Sequence, residues 1–485
     1  MTRRHGSTVA ERLRRAIGWL GALVAALLAF APAANAGGPG LVIGATEDAV
    51  RSPLLAVAKG QMNLIALAGF RSVRITQVWT PGERDVSPAD QTILRNVSSA
   101  AALDDIQVIV SVLNYGSATT PLTDADQADF AAYAASVARA ADGVEIVIVG
   151  NEPNLNRYWL PQFNEDGSDA AAPAYESLLA RAYDALKAES PGLTVLGGAV
   201  SPRGGDVPGT RPTHSPTTFI RDLGTAYRAS GRATPIMDGF AFHPYEDNSS
   251  VAPISGTHPN TTTIALADYD KLVALLTEAF DGTAQAGSTL PIYYDEFGVE
   301  SVIPSSKRSN YTGEEPATTK PVPEATQAAY YRQAVELTFC QPNVRGLFLF
   351  HAVDEAALPA WQSGLYYADG TPKSSLASVR ASMDLSRRGS VAACPGMRLA
   401  VHATAVQRGL RLYLSCDLDC SYVAQLYRLP GKLLKAKSGL AIGGRESLLP
   451  LSVPKTPGRY RLRVSATAAV NPGKSATLVR PLRPG

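Results

Sequence analysis

The segment Glu145-Ile146-Val147-Ile148-Val149-Gly150-Asn151-Glu152-Pro153-Asn154 decides the fold. Four consecutive branched apolar residues read as a strand buried on both faces, which is how a parallel sheet is written. An acid placed just beyond such a strand is costly unless it faces a cleft. The same short apolar run recurs along the chain. Residues 41–45, 72–79, 106–113 and 145–150 form the first four candidate strands, and 194–200, 237–243, 291–296 and 344–351 the next four. Amphipathic stretches between them, such as 56–67, 126–141, 174–188, 269–280 and 326–338, predict helices. Asp124, Asp126 and Asp129 fall where a helix begins, and read as capping and dipole-favouring acids, not as a metal loop.

Eight strand–helix units within about 350 residues predict a (β/α)8 barrel with room for long loops. A doubly wound open sheet would show a glycine-rich phosphate turn after its first strand. Leu41-Val42-Ile43-Gly44-Ala45-Thr46 leads into no such turn. Loops 203–215, 249–262 and 304–323 are rich in Pro, Gly, Ser, Thr and Asn, and are expected to shape the substrate site at the strand ends. With 485 residues, 45% of them hydrophobic, the chain can bury a large core. Beyond Ser390 the pattern changes to short alternating segments at 397–405, 410–416, 421–429, 445–453 and 458–466. Their spacing predicts a small antiparallel β-sandwich. The expected organisation is therefore a leader over 1–36, a barrel over 37–389 and a β domain over 390–485.

Arg3, Arg4, Arg12, Arg14 and Arg15 precede an apolar run from Ala16 to Ala31, and Ala34-Asn35-Ala36 offers a cleavage site. This is the layout of a secretory signal, with a retained membrane anchor as its rival. The net charge of +2 is unevenly spread. From Gly396 onward there are fifteen Lys and Arg against three Asp and Glu, while the body between leader and tail is acidic. Such a basic tail either holds the protein against anionic wall polymers or lipid headgroups, or is a plain solvated surface. A nucleic-acid partner is not expected, and a monomer is. Four cysteines in an exported chain imply disulfides. Cys416 and Cys420 suit a local bridge, leaving Cys340 with Cys394. Zinc binding by Cys416 and Cys420 lacks a second ligand pair at finger spacing.

In a parallel barrel the carboxyl ends of the strands carry the chemistry. The fourth strand ends in Asn151-Glu152-Pro153, and the seventh in Tyr293-Tyr294-Asp295-Glu296-Phe297-Gly298. Strands four and seven face each other across an eight-stranded ring, so Glu152 and Glu296 are expected to meet over its mouth. Two facing carboxyl groups are what glycosidic cleavage requires: one protonates the leaving oxygen, the other attacks the anomeric carbon. A separation of about 5–5.5 Å gives retention, and about 6.5–9.5 Å gives inversion. Asp295 is expected to point away from Glu296 on an extended strand, and Glu300 lies past the strand end. These two are the rival working acids.

Asn-Glu-Pro after strand four together with Glu-Phe-Gly after strand seven resembles the large clan of retaining (β/α)8 glycoside hydrolases, which includes the cellulase-like and xylosidase/iduronidase-like families. The resemblance covers roughly residues 41–386. It implies Glu152 as acid/base, Glu296 as nucleophile and Asn151 as the amide that bonds the sugar 2-hydroxyl. It further implies that His243 and Tyr245, in Phe242-His243-Pro244-Tyr245, touch nucleophile and substrate, and that Arg74 keeps the nucleophile ionised. Strand eight departs from the pattern. Many relatives place a tryptophan there; this chain has Phe348-Leu349-Phe350-His351, with Trp361 as a substitute platform.

Trp79, Trp159 and Trp361 read equally as sugar platforms or as packing residues. Asp354 and Glu355 are expected to solvate a loop. The sequence thus points to a secreted retaining glycosidase acting on a polysaccharide or oligosaccharide, with no cofactor required. The competing reading is a carbohydrate-binding or wall-associated barrel with little turnover. A metallohydrolase barrel would need several His and Asp at strand ends, where only His243 and His351 qualify.

Overall fold

Helix starts are written plainly in this chain. Ser87-Pro88 and Ser215-Pro216 each place a capping hydroxyl before a proline whose missing N–H is not needed. Ser87 Oγ accepts from Asp90 N, and Ser215 Oγ from Thr218 N. Thr123 and Asp126 form a reciprocal capping box, so the acids at this start do cap a helix. Asp129 pairs with Arg84.

A computed structural model describes residues 38–389, 391, 399–406, 409–416, 420–442, 446–454, 458–468 and 475–482. Eight strands close a parallel barrel in chain order. They are β1 (Val42–Thr46), β2 (Ser72–Trp79), β3 (Gln107–Asn114), β4 (Ile146–Val149), β5 (Thr194–Val200), β6 (Gly239–Phe242), β7 (Ile292–Phe297) and β8 (Val344–Phe350). Helices α1 (Leu55–Ala68), α2 (Pro88–Ala102), α3 (Asp124–Ala140), α4 (Ala171–Glu189), α5 (Pro216–Ala229), α6 (Tyr269–Phe280), α7 (Glu324–Phe339) and α8 (Leu376–Arg387) follow the strands in turn. Each strand sends alternate residues to opposite sides. One set packs under the helices in the main core. The other set fills the barrel with Ile109, Ile146, Ile148, Leu196, Ala241 and Phe348, against which Val42 and Tyr293 pack. Leader residues 1–36 lie outside the described residues. Among those described, no helix is long and apolar enough to cross a membrane.

Small residues make room for the large ones inside the barrel. A Cβ on Gly44 would sit 2.4 Å from Phe348 Cε1 and 2.7 Å from Ser72 O. Gly60, on the exposed side of α1, has nothing within 4 Å of that position.

The C-terminal region contains β9 (Leu399–Val406), β10 (Gly409–Cys416), β11 (Cys420–Arg428), β12 (Lys432–Ala441), β13 (Glu446–Pro454), β14 (Tyr460–Ala468) and β15 (Ser475–Leu482). They make a three-stranded sheet, β13-β10-β9, and a four-stranded sheet, β12-β11-β14-β15. Leu412, Leu414, Leu451 and Val453 from one sheet share an apolar core with Leu426, Leu462 and Val464 from the other. The sequence reading omitted β12 and β15, which are the two edges of the larger sheet. An edge strand needs no inward apolar face along its whole length, so its alternation is weak. In β12, Lys435 and Lys437 pair with Leu426 and Ala424, and these lysines guard the edge against further pairing.

Cys416 and Cys420 form a disulfide joining the end of β10 to the start of β11. This is the local bridge expected, and no zinc reading survives it. Cys340 is also disulfide-bonded; Cys394 lies outside the described residues.

Adding one methyl at each of two glycines tests this packing. Gly44→Ala is expected to cost about 1–3 kcal/mol or more, because Phe348 and the β2 backbone must both give way. Gly60→Ala is expected to stabilise by roughly 0.5–1 kcal/mol through helix propensity. Urea unfolding of both variants reads the two signs.

Candidate active site

The carboxyl end of the barrel carries a polar layer directly above its apolar filling. Arg74 of β2 points inward and is 2% exposed. Its Nη1 donates to Glu296 Oε1 at 2.8 Å, and its Nη2 to Ser111 Oγ at 3.2 Å and Asn151 Oδ1 at 3.3 Å. Its Nε lies 3.3 Å from Asp295 Oδ2. A guanidinium offers five donors in a rigid fork, so one residue can orient several partners at once.

His243 follows β6 and is fully buried. Its Nδ1 lies 3.0 Å from Glu152 Oε1 and 3.5 Å from Glu296 Oε2, and its Nε2 lies 3.4 Å from Asp295 Oδ2. Burial alone would push this imidazole down. The charges of Glu296 and then Asp295, with hydrogen bonds to Asp295 and Glu152, override burial and push it up to about 10. At neutral pH both ring nitrogens therefore donate.

The two carboxyl groups expected to meet do meet. Both Glu152 and Glu296 approach the same ring nitrogen, which bounds their nearest oxygens at about 6.5 Å, the sum of the two contacts. Tyr245 adds its hydroxyl, which donates to Glu296 Oε2 at 3.0 Å. Glu296 is thus held by Arg74 and Tyr245, and Glu152 by His243.

Local backbone geometry aims Glu152. Its φ is +42°, a left-handed conformation that costs roughly 1–2 kcal/mol for a residue with a Cβ. Its N–H donates to Ala199 O of β5 at 2.8 Å. The preceding Gly150 has φ +85°, and a Cβ there would press on the Tyr175 ring at 3.0 Å. Tyr175 of α4 donates to Val149 O and accepts from Gly198 N, tying the ends of β4 and β5 together.

Asp295 departs from expectation: instead of pointing away, it reaches the same arginine and histidine as Glu296. The pairing of β7 with β8 shifts register between Tyr294 and Phe297. That irregularity breaks strict alternation and lets neighbouring acids serve one layer. Arg74 and His243 make the double placement affordable by supplying two cations.

A cleft of about 460 Å³ opens above this layer, lined by Glu152, Glu296, Tyr245, Phe350, Trp361 and Glu300 among others. Trp361 packs on Tyr245 with ring centres 4.9 Å apart, and meets Phe350 edge-on at 5.3 Å. Trp361 is thus a wall of the site. Trp79 is not: it is fully buried, packs edge-on against Phe130 and donates its indole N–H to Glu83 O. Trp159 is buried against Tyr175. Both are packing residues, and Trp79 leaves the set of sugar contacts.

Asp354 is also corrected. It is not a solvated loop acid but the buried partner of Lys373, Nζ to Oδ1 at 2.7 Å, with both side chains 0% exposed. Lys373 also donates to Ser301 Oγ and Gln362 O, while Tyr311 donates to Asp354 Oδ2. Glu300 Oε2 accepts from Gln362 N at 3.3 Å. This network fastens the segment bearing Trp361 to the chain leaving β7. Burial pushes Glu300 up to about 8. Sequence reasoning missed Ser111, Tyr158 and Lys373. Tyr158 lines the cleft, and burial followed by the nearby Glu152 charge pushes its phenol up to about 12. Lys373 follows a turn with no strand-end signal, so nothing in its neighbours marks it.

No protein-family model and no curated protein matches the chain. Among solved structures, a GH5_18 enzyme from Streptomyces cattleya in complex with GlcNAc aligns over 73% of this chain and 81% of its own, at 16% identity and TM-score 0.48. The GH39 enzyme from Xanthomonas axonopodis pv. citri aligns over 93% and 94%, at 14% identity and TM-score 0.46. Bacteroides uniformis beta-glucuronidase 2 aligns over 92% of this chain and 46% of its own, at 13% identity and TM-score 0.45. The chain thus spans about half the length of that protein. At these identities and TM-scores the similarity carries no argument about this chain, and the barrel assignment stands on the strand order itself.

Two outcomes test the site's electrostatics. His243 ionises in the fold near 10, against roughly 6.5 in an unfolded chain. A value raised on folding stabilises fully below the lower figure and ceases to do so as pH rises through the higher. The urea midpoint of wild type should therefore fall between pH about 6.5 and 10 by a step that His243→Gln lacks. Removing the partner of a buried charge should cost far more than removing an exposed one. Lys373→Met is expected to lose about 3–5 kcal/mol. Arg221→Gln, from an exposed pair with Glu278, is expected to lose under about 1 kcal/mol.

Proposed function

We propose that this barrel is a retaining glycoside hydrolase in which Glu296 is the nucleophile and Glu152 the acid/base. The observation that carries the reading is the convergence of both carboxyl groups on one nitrogen of His243, at 3.0 and 3.5 Å. The resulting upper bound of about 6.5 Å admits the roughly 5–5.5 Å of direct attack and reaches only the lower edge of the spacing that inversion uses.

The roles follow from the partners. Glu296 takes a fixed guanidinium donor and a phenolic donor, which suit a group that must attack as an anion. Three carboxyl groups, Glu152, Glu296 and Asp295, surround two cations, Arg74 and His243. One of the three can carry a proton without leaving a cation unmatched. Glu152 is the one without the guanidinium, and the proposal gives that proton to it.

In the first step a Glu296 oxygen bonds to the anomeric carbon as the glycosidic C–O bond breaks, and the Glu152 proton passes to the leaving oxygen. In the second, Glu152 takes a proton from water. That water's oxygen bonds to the anomeric carbon, and the bond to Glu296 breaks. Asn151 has its side-chain oxygen on Arg74, so its amide N–H₂ is presented as the donor to the sugar 2-hydroxyl. Trp361, Phe350 and Tyr245 supply the apolar wall against which a sugar ring packs. The substrate class proposed is a polysaccharide or oligosaccharide. The proposal also places the chain outside the cell, with 1–36 as a cleaved leader; the disulfides at Cys416–Cys420 and Cys340 suit an oxidising compartment.

The test is turnover of a panel of aryl glycosides, with the product anomer followed by proton NMR before it mutarotates. Glu296→Gln is expected to abolish turnover, and Glu152→Gln to lower it by about 10²–10⁴-fold on substrates with poor leaving groups. The first-formed sugar should keep the anomeric configuration of its substrate. An inverted product would refute the mechanism. Binding of glycans with no turnover by wild type would favour a carbohydrate-binding barrel.

A further inference from the structure

The four-stranded sheet of the C-terminal region presents an outward face whose charge the barrel chemistry does not use. Arg459, Arg461 and Arg463 occupy every second position along β14 and its entry, and all three are exposed. Between them Tyr460 and Leu462 turn inward and are buried. A two-residue step on a strand is about 6.7 Å, so the three guanidiniums form a ladder roughly 13 Å long. Strands β12, β11, β14 and β15 contain no Asp or Glu. Among the described residues none of the three arginines is paired with a carboxylate, and Glu446 in the other sheet lies against His402.

The neighbours of the ladder are ordered for recognition. Tyr427 stands opposite Arg461 in register, and the guanidinium carbon of Arg461 lies 5.3 Å from the centre of its ring. That contact holds the fork in place before anything binds. Tyr427 in turn donates to Gln425 Oε1, and Gln425 stands opposite Arg463. On the far side Ser465 and Thr477 bring their hydroxyls together at 3.1 Å. A depression of about 250 Å³ runs between Tyr427, Arg461, Arg463, Thr477 and Val479.

We propose that this face binds an anionic polysaccharide, one bearing carboxylates along its chain. The guanidiniums take the carboxylates in bidentate pairs, and the amide and hydroxyl groups beside them take sugar hydroxyls. Charge complementarity carries the choice of polyanion: a region with fifteen basic and three acidic residues has most of its uncompensated charge to offer. The chemistry of the face selects a glycan over a membrane. Its protruding apolar residues, Val423, Leu433, Leu440 and Val479, are aliphatics spread over three strands, and no Trp or Phe stands among them to enter the acyl region. The proposal does not depend on turnover by the barrel, because binding is read without it.

The experiment is affinity electrophoresis of the full chain through gels containing polygalacturonate or neutral dextran. Co-sedimentation with vesicles of phosphatidylglycerol and phosphatidylcholine runs beside it, at low and high salt. Wild type is expected to be retarded by polygalacturonate alone, and less so as salt rises. The double substitution Arg461→Ala with Arg463→Ala should weaken that binding by at least about tenfold. Lys435→Ala with Lys437→Ala, on the β12 edge, removes the same charge and should change it by less than about twofold. Equal weakening by both pairs would reduce the effect to bulk charge and overturn the proposal. So would the absence of retardation at low salt, or binding to vesicles without binding to polygalacturonate.

Discussion

The ion pairs of Arg74 with Glu296 and Asp295 are the constraint on which the site depends. They lie over an apolar barrel filling, where an unmatched charge costs several kcal/mol. Such a cost is met only if every charge finds a partner and every partner has a fixed place. Arg74 is fixed by β2 and by Ser111 of β3, His243 by β6, Glu296 and Asp295 by β7, and Glu152 by the turn after β4. Five strands thus converge on one layer. The layer is the reason the carboxyl groups of Glu152 and Glu296 point at a common volume. Glu152 and Glu296 are linked through His243 Nδ1, which both approach.

The strands were legible because burial on both faces leaves near-continuous apolar runs: β2 and β5 carry the bounds read from the residue pattern. Strand ends were legible as chemistry, since Glu152 and Glu296 are acids where a buried strand stops. Arg74 was reached only through the family resemblance, since its strand also carries Ser72, Thr76 and Gln77 and no local pattern singles it out. Asp295 was not legible, because inward and outward alternation is a rule for regular strands and β7 shifts register at that point. Asp354 was misread because its partner, Lys373, is nineteen residues away and nothing local marks either as buried. Trp79 was ambiguous in principle. An indole at a strand end can face the cleft or the helices, and here Phe130 of α3 claims it.

The C-terminal region shows where the alternating signal fades. Its five recognised strands each carry an inward apolar set, while β12 is exposed along nearly all its length. The lysines that hide β12 from pattern reading also protect its edge. Basic residues therefore do two different jobs in this sheet. Those on β12 are spread along an edge, while those on β14 line up on a face. A net charge taken from sequence cannot separate the two, and register can.

The central claim is that Glu296 forms a covalent bond to the sugar while Glu152 manages the proton. It is tested most directly by trapping that bond. Wild-type protein would be treated with 2-deoxy-2-fluoro glycosides, carrying good leaving groups, of whichever sugar it hydrolyses, and then digested and mapped by mass spectrometry. The account predicts one fluoroglycosyl unit per chain, attached to Glu296. A protein that turns over the parent glycoside yet carries the label on another residue, Asp295 or Glu300 among them, would contradict it.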